Sequence, residues 1–331
     1  MEIGKGAPDR CRHESEGVLT DRSPMSPGSF DRRLTPIRPD LAAEHLRDLL
    51  DAPRFVEGRK MRIIAASAPL RRSPQADAPL ETEALFGESV TVYDESEGWA
   101  WTQLERDQYV GYLPSAMVGA PSAPTHRVAA LRTHAYPGPA IKLPPRMAPS
   151  LGAQVTIIGR EDDFAVSQDG LYLWSRHLAE LDTRESDPVT VAELFLETPY
   201  LWGGRTSEGV DCSGLVQTAL MAAGVASPRD SDMQEATLGE PLAIDDPSAP
   251  LARGDLVFWK GHVGIMRDSL TLLHANGWHM KTVSEPLAQA RERIAANGGS
   301  EVTSVRRLSA RDYGARRATS CRPGRYRRSG C

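Results

Sequence analysis

The chain has 331 residues, of which 40% are hydrophobic and 25% charged, and a formal net charge of −5. That size and balance suit two or three soluble domains with their own cores, and the mild acidity argues against a nucleic-acid partner held by a basic field. No apolar run reaches the roughly 18 residues of a transmembrane helix, so no membrane partner is expected. The four cysteines, Cys11, Cys212, Cys321 and Cys331, form no CxxC pair and no Cys/His zinc spacing, so neither a metal nor a cofactor is expected.

Residues 1–32 are rich in Gly, Ser, Pro and charge and read as a disordered N-terminus, with Met25 an alternative start. They lack the apolar core of a secretory signal, which makes a cytoplasmic location the default. Residues 33–59 read as a short helical lead-in, because Pro39 and Asp40 signal a helix start and Leu41, Leu46, Leu49 and Leu50 can share one face.

From 60 to 120 the pattern turns to short strands. "ESVTVYDE", "GWAWTQLE" and "YVGYLP" alternate in polarity and carry β-branched and aromatic residues. A region from 126 to 184 repeats the layout: "GESVTVYDESEGWAWTQL" is matched by "GAQVTIIGREDDFAVSQD". Both resemble bacterial SH3-like domains, which implies two small all-β barrels in series.

Residues 187–308 differ again. "DPVTVAELF" starts a helix at Pro188, and "DCSGLVQTALMAAG" is a second helix closed by Gly224. "DLVFWKGHVGIMRDSLTLLHANG" reads as three strands joined by turns, so this part is an α+β domain. Residues 309–331 are basic, Gly-rich and unpatterned, and read as a disordered tail.

Cys212 is the one cysteine in a patterned region, and it opens a helix. Unpaired amides and the helix dipole at that position favour a thiolate, and the cysteine's own N–H can serve an oxyanion. A thiol nucleophile needs an imidazole to take its proton and a third group to orient the imidazole. His262 follows a glycine turn at the start of a strand, with Gly264 on its face and Val263 and Ile265 on the other. His274 lies on the next strand, within reach of His262 across a hairpin. Arg229 could hold a substrate carboxylate or pair with Asp230 or Asp232. Asp255 reads as a turn residue. Trp202, Gly203 and Gly204 read as a tight turn packed on the helix at the rim of a cleft.

The set "YLWGGRTSEGVDCSGLV", "SPRDSDMQ", "ARGDLVFW", "GHVGIM" and "LLHANG" resembles the consecutive motifs of the NlpC-type cell-wall cysteine peptidases, whose fold is a reduced papain-like domain. The resemblance implies Cys212 as nucleophile, His262 as base, His274 as orienter and Tyr200 near the oxyanion site. It also implies a peptidoglycan stem-peptide substrate, cut between γ-D-glutamate and a diamino acid. The order SH3-like, SH3-like, NlpC-type resembles dipeptidyl-peptidase-type enzymes, in which the first SH3-like domain narrows the cleft and helps read a free N-terminal L-alanine. By that resemblance Asp211, Ser213 and Ser231 are substrate-binding candidates. From the SH3-like domain Glu81 and Tyr109 join them, with Glu83 and Tyr112 as substitutes. An exported endopeptidase or amidase on intact wall, and a silent SH3-like wall- or partner-binding module, are the alternatives. The sequence specifies no oligomeric state.

Overall fold

The computed structural model describes residues 30–243 and 250–313. Cys11, Cys321, Cys331 and most of the two segments read as disordered lie outside the described residues. The chain is already packed at Phe30, which sits against Leu46 and Leu50, and still packed at Tyr313, which lies against the core of the C-terminal domain. Phe30 and Tyr313, which composition places in those segments, are thus packed against the structure.

The lead-in is not a helix beyond one 3-10 turn, Glu44–Leu46. Ala42–Ala43 instead pairs in parallel with Phe55–Val56. A helix here would have too few residues between Pro39 and Pro53 to offset the cost of its nucleus. Leu41, Leu46 and Leu50 are buried, whereas Leu49 is exposed.

The first β-module contains β1 (Arg59–Ile63), β2 (Ser67–Arg71), β3 (Leu80–Leu85), β4 (Ser89–Ser96), β5 (Trp99–Leu104), β6 (Val110–Pro114) and β7 (Val118–Gly119). They form one sheet in the order β3-β2-β6-β5-β4-β1-β7. Its core is built from alternate residues such as Leu70, Val90, Ala100, Leu104 and Leu113, as period-two patterning requires. The region from His126 to Glu180 forms a three-stranded and a four-stranded sheet around Val128, Ala135, Val155 and Leu173.

The C-terminal domain places helices first. They are α1 (Pro188–Glu193), α2 (Cys212–Ala222) and α3 (Ser231–Thr237). A six-stranded antiparallel sheet follows, made of β8 (Glu240–Leu242), β9 (Leu256–Trp259), β10 (His262–Met266), β11 (Thr271–Asn276), β12 (Lys281–Pro286) and β13 (Val302–Arg307). The order is β8-β13-β9-β10-β11-β12. One face of the sheet, with Phe258, Val263, Ile265, Leu273 and Ala275, packs on α2. The other, with Val257, Trp259, Met266 and Leu272, packs on α4 (Leu287–Ala296), which lies between β12 and β13 in the chain. The helix α2 is buried nearly all round, which marks it as the central element rather than a surface helix.

Candidate active site

The local sequence fixes how α2 begins. Asp211 is its N-cap in an extended conformation, and its Oδ1 accepts from the Gly214 amide at 2.7 Å. Its Oδ2 accepts from the Gly203 amide at 2.8 Å. Arg229, 1% exposed, donates to both carboxylate oxygens, at 3.0 and 2.7 Å. Its remaining donors reach Thr82 Oγ1, Ser213 Oγ and the Gly204 carbonyl. All five guanidinium N–H groups are thus used internally. Arg229 pairs with Asp211, not with Asp230 or Asp232 as its neighbours in sequence suggest, and it has no donor left for a substrate carboxylate. Asp211 holds the cap and the ion pair, and it also lines the cleft over Cys212.

Cys212 is buried at the first position of α2, and the backbone amides of Val263 and Ser213 favour its thiolate. The thiol is nevertheless pushed up to about 12, first by burial and then by the Asp211 carboxylate. Burial first, and then the negative charge of the capping residue beside the sulfur, oppose the lowering expected of the helix terminus. Tyr200 lies close enough for its phenol to be raised by burial and by Cys212.

His262 opens β10, next to the amide that faces the thiol. Its Nε2 is 2.8 Å from Nδ1 of His274. The rings are 5.1 Å apart at 61°. Gly264 does not make room for substrate: a Cβ there would lie 2.6 Å from a Leu272 methyl and 3.2 Å from the His274 Cβ. The glycine makes room first for Leu272 and then for His274 on the neighbouring strand. Burial and His274 pull His262 down to about 3, so both rings are neutral near pH 7.

A cleft of about 660 Å³ opens over Cys212 and Ser213. Tyr200 and Trp202 lie on one side, Asp230, Ser231 and Asp232 on another, and Glu81, Trp101, Tyr109 and Tyr112 of the first β-module close its end. Trp202 is 68% exposed, so it stands at the rim rather than packing on α2. Gly203, at φ +75, allows the close approach, since a Cβ there would meet the Leu80 carbonyl at 2.8 Å. Glu81 lines the cleft, whereas Glu83 is buried at the junction and accepts from the Arg205 amide at 3.0 Å. Tyr109 and Tyr112 both line it.

These features stand in two segments that match known families. Residues 70–118 match the family model of the bacterial dipeptidyl-peptidase SH3 domain, and residues 197–295 match that of the NlpC/P60 family. The chain carries an NlpC/P60 domain behind an SH3 domain of the dipeptidyl-peptidase kind. The gamma-D-glutamyl-L-lysine dipeptidyl-peptidase of Bacillus subtilis (strain 168) is 27% identical over 241 residues, covering 60% of this chain and 73% of that protein. The protein of the same name from Bacillus cereus is 26% identical, over 54% of this chain and 60% of that protein. Dipeptidyl-peptidase 6 of Lysinibacillus sphaericus is 32% identical, over 31% of this chain and 36% of that protein. The chain thus spans between about a third and three quarters of these relatives. In fold it is similar to the crystal structure of an NlpC/P60 family protein from Bacillus cereus, with a TM-score of 0.64 at 20% identity, over 76% of this chain and 99% of that one.

The SH3 domain is wired into the NlpC/P60 domain by buried polar contacts. Arg205 reaches Glu88 at 3.1 Å, Gln217 donates to Asp107 at 2.9 Å, and Arg229 donates to Thr82 at 2.7 Å. On the far side of His262 lies a second cavity of about 250 Å³, lined by His262, His274, Asn276, Trp278 and Arg293 among others. Asp255 is a turn carboxylate as expected, holding the Ala252 amide and Arg307. Sequence reasoning passed over Arg33, which joins Asp230 and Asp232 at 2.8 Å each, and Glu285, which meets His274. Only the second was within reach of strand alternation, since Glu285 pairs with Leu272, two residues before His274.

Proposed function

We propose that this protein is a cysteine peptidase that hydrolyses the γ-D-glutamyl-diamino acid bond of peptidoglycan stem peptides bearing a free N-terminal L-alanine, in wall-peptide recycling in the cytoplasm. Cys212 is the nucleophile, His262 its base and His274 the orienter. The Cys212 sulfur attacks the γ-carbonyl as its proton passes to His262. The diamino acid leaves with that proton, and water then opens the thioester to release the dipeptide. Tyr200 stands beside the developing oxyanion.

One observation carries the substrate reading. At the closed end of the cleft three oxygens converge: Tyr109 Oη lies 3.1 Å from Asp230 Oδ2 and 3.4 Å from Glu81 Oε2. The phenol has one proton, which Asp230 takes at the shorter distance, so Glu81 faces the phenol's lone pairs. The phenol's lone pairs and Glu81 Oε2 are neighbouring acceptors with no donor between them, which suits a cation. The ammonium of a short peptide, reaching back from Cys212, supplies one. Arg33 donates to the same Asp230 Oδ2 that takes the phenol proton, and Arg72 holds the outer oxygen Oε1 of Glu81. Ser213 and Ser231 line the path between the thiol and this cluster.

We also read residues 126–184 as a second SH3-like module. Its support is a repeated ending. Val110–Pro114, the 3-10 turn Ser115–Met117 and Val118–Gly119 are matched by Tyr172–Trp174, the turn Ser175–His177 and Leu178–Glu180.

The test is mass spectrometry of two L-Ala-γ-D-Glu-diaminopimelate peptides after incubation with the purified protein, one with a free and one with an acetylated N-terminus. Cleavage of the free peptide alone is expected. Equal cleavage of both would remove the amine site and move the protein to the endopeptidases, and cleavage of neither would overturn the substrate.

A further inference from the structure

We propose that Glu285 is a positioning residue of this site: it fixes the ring tautomer of His274, and through His274 that of His262, so that the one bare nitrogen of His262 is Nδ1. The inference rests on the reading of His262 as the base, and it adds a fourth and a fifth member, Glu285 and Arg293, to the Cys212, His262 and His274 set.

The argument follows the protons. Nε2 of His274 has two neighbours. Oε1 of Glu285 lies at 2.7 Å and Nδ2 of Asn276 at 3.1 Å. They make opposite demands, since a carboxylate accepts only and an amide nitrogen donates only. The Asn276 amide cannot turn over to relieve this, because its Oδ1 already accepts from the His279 amide at 2.9 Å. Glu285 is the stronger partner. Burial opposes its charge, yet His274 and Arg293 together bring its carboxyl down to about 2. A bond to an ionised acceptor is about twice as strong as one between neutral groups, and here it is the shorter of the two. The proton of His274 therefore sits on Nε2.

The consequence passes along the chain of rings. With Nε2–H occupied, Nδ1 of neutral His274 is a lone pair, and the 2.8 Å contact to His262 Nε2 requires that His262 donate. The proton of neutral His262 is then on Nε2, and Nδ1 is free to accept. When Cys212 reacts, the S–H bond breaks and an Nδ1–H bond forms. The imidazolium keeps its Nε2–H on His274, and Glu285 gains no proton. Its charge, two hydrogen bonds away, stabilises that imidazolium.

Glu285 is itself held. Arg293 of α4 donates to Oε2 and Oε1, each at 2.7 Å, a bidentate pair with a fixed plane. The charged and titratable groups that act on the two rings from the surrounding elements are Glu285 from β12, Arg293 from α4 and His279 from the β11–β12 turn.

The test is Glu285→Leu, which removes the acceptor and leaves the Asn276 amide N–H as the polar neighbour of His274 Nε2. The proton of His274 then moves to Nδ1, His262 must accept through Nε2, and its Nδ1 becomes protonated and unable to act as base. In Cys212→Ala protein labelled with nitrogen-15, ring correlations are expected to show Nε2–H on both histidines, and a shift to Nδ1–H when Glu285→Leu is added. In the protein that keeps Cys212, iodoacetamide alkylation at pH 8 and kcat are expected to fall at least about tenfold with KM unchanged. Asn276→Asp in the Glu285→Leu protein restores an acceptor at His274 Nε2, and is expected to return the Nε2–H tautomer and part of the rate. Unchanged tautomers after Glu285→Leu overturn the proposal, even if activity falls, because the carboxylate would then be only structural. The ring and alkylation measurements need no peptide, so they stand apart from any failure of the substrate assignment.

Discussion

Arg229 clamps Asp211 through both terminal nitrogens, at 3.0 and 2.7 Å, and in doing so holds the first turn of the helix that carries Cys212. The same guanidinium reaches Thr82 of the SH3 domain, so the end wall of the cleft and the nucleophile share one anchor. Arg229→Met keeps the volume and leaves Asp211 buried without its partner. A loss of about 3–5 kcal/mol is expected, read as a fall in the urea midpoint with an unchanged slope. A midpoint within experimental error of the wild type would mean that Asp211 is held by its two amides alone.

Removing the thiol or the base removes the chemistry. Cys212→Ala and His262→Ala are each expected to abolish peptide cleavage, while His274→Asn keeps part of it. An asparagine there offers an oxygen to the His262 Nε2–H and still orients the ring. Wild-type rates in either alanine variant would sink the mechanism.

The thiol and imidazole are both expected to be neutral at rest. Burial and Asp211 put Cys212 near 12, and burial and His274 put His262 near 3. Between those limits the sulfur keeps its proton and the ring lacks one. Alkylation of Cys212 by iodoacetamide should therefore be slow at pH 7 and rise about tenfold per pH unit through the alkaline range, because only the thiolate reacts. A plateau already reached below pH 7 would instead reveal a preformed thiolate and imidazolium.

Much of this site can be read from the order of its motifs. Cys212 before a buried run, His262 after a glycine turn and His274 twelve positions on lie on elements whose periodicity is strong, and the structure brings both histidines to one face of one sheet. What local pattern could not give was the partner choice of buried charges. Arg229 has Asp230 beside it and Asp232 close by, yet it bonds Asp211 across the α2 start, because only that carboxylate is buried with it. Asp230 and Asp232 go to Arg33, at the start of the lead-in and nearly two hundred residues away in the chain. Likewise the leucines of the lead-in carry a helical spacing, but pairing of Ala42–Ala43 with Phe55–Val56 overrides it.

The junction between the domains is expected to weaken as pH rises toward neutrality. Burial raises Glu83 from an ordinary 4.5 to about 7. A folded-state value above the unfolded one means that the native protein holds the extra proton. The stability from this group is full below about 4.5 and lost as pH rises through about 7. Glu88, also raised by burial, adds a slope of the same sign. Glu83→Gln can still accept from the Arg205 amide and has no proton to lose. Its urea midpoint should fall less than that of the wild type between pH 5 and 8. Identical slopes in the two proteins would show that Glu83 is ionised in the folded state throughout.

The amine site makes the last prediction, because its parts can be removed without touching Cys212. Tyr109→Phe takes away the phenol oxygen that accepts at the closed end of the cleft, and Glu81→Gln takes away a charge beside it. Each removes a hydrogen bond or ion contact to an ammonium, which is worth roughly 1.5–3 kcal/mol. KM for the free peptide should rise about tenfold or more in either variant, with kcat changed less. Alkylation of Cys212 should stay at the wild-type rate, since neither group faces the thiol. Tyr112→Phe serves as the control from the same strand, β6 being Val110–Pro114 and Tyr109 the residue before it. If Tyr112→Phe raised KM and Tyr109→Phe did not, the ammonium would bind nearer Arg38 and Trp101, and the cluster around Asp230 would be a structural network alone.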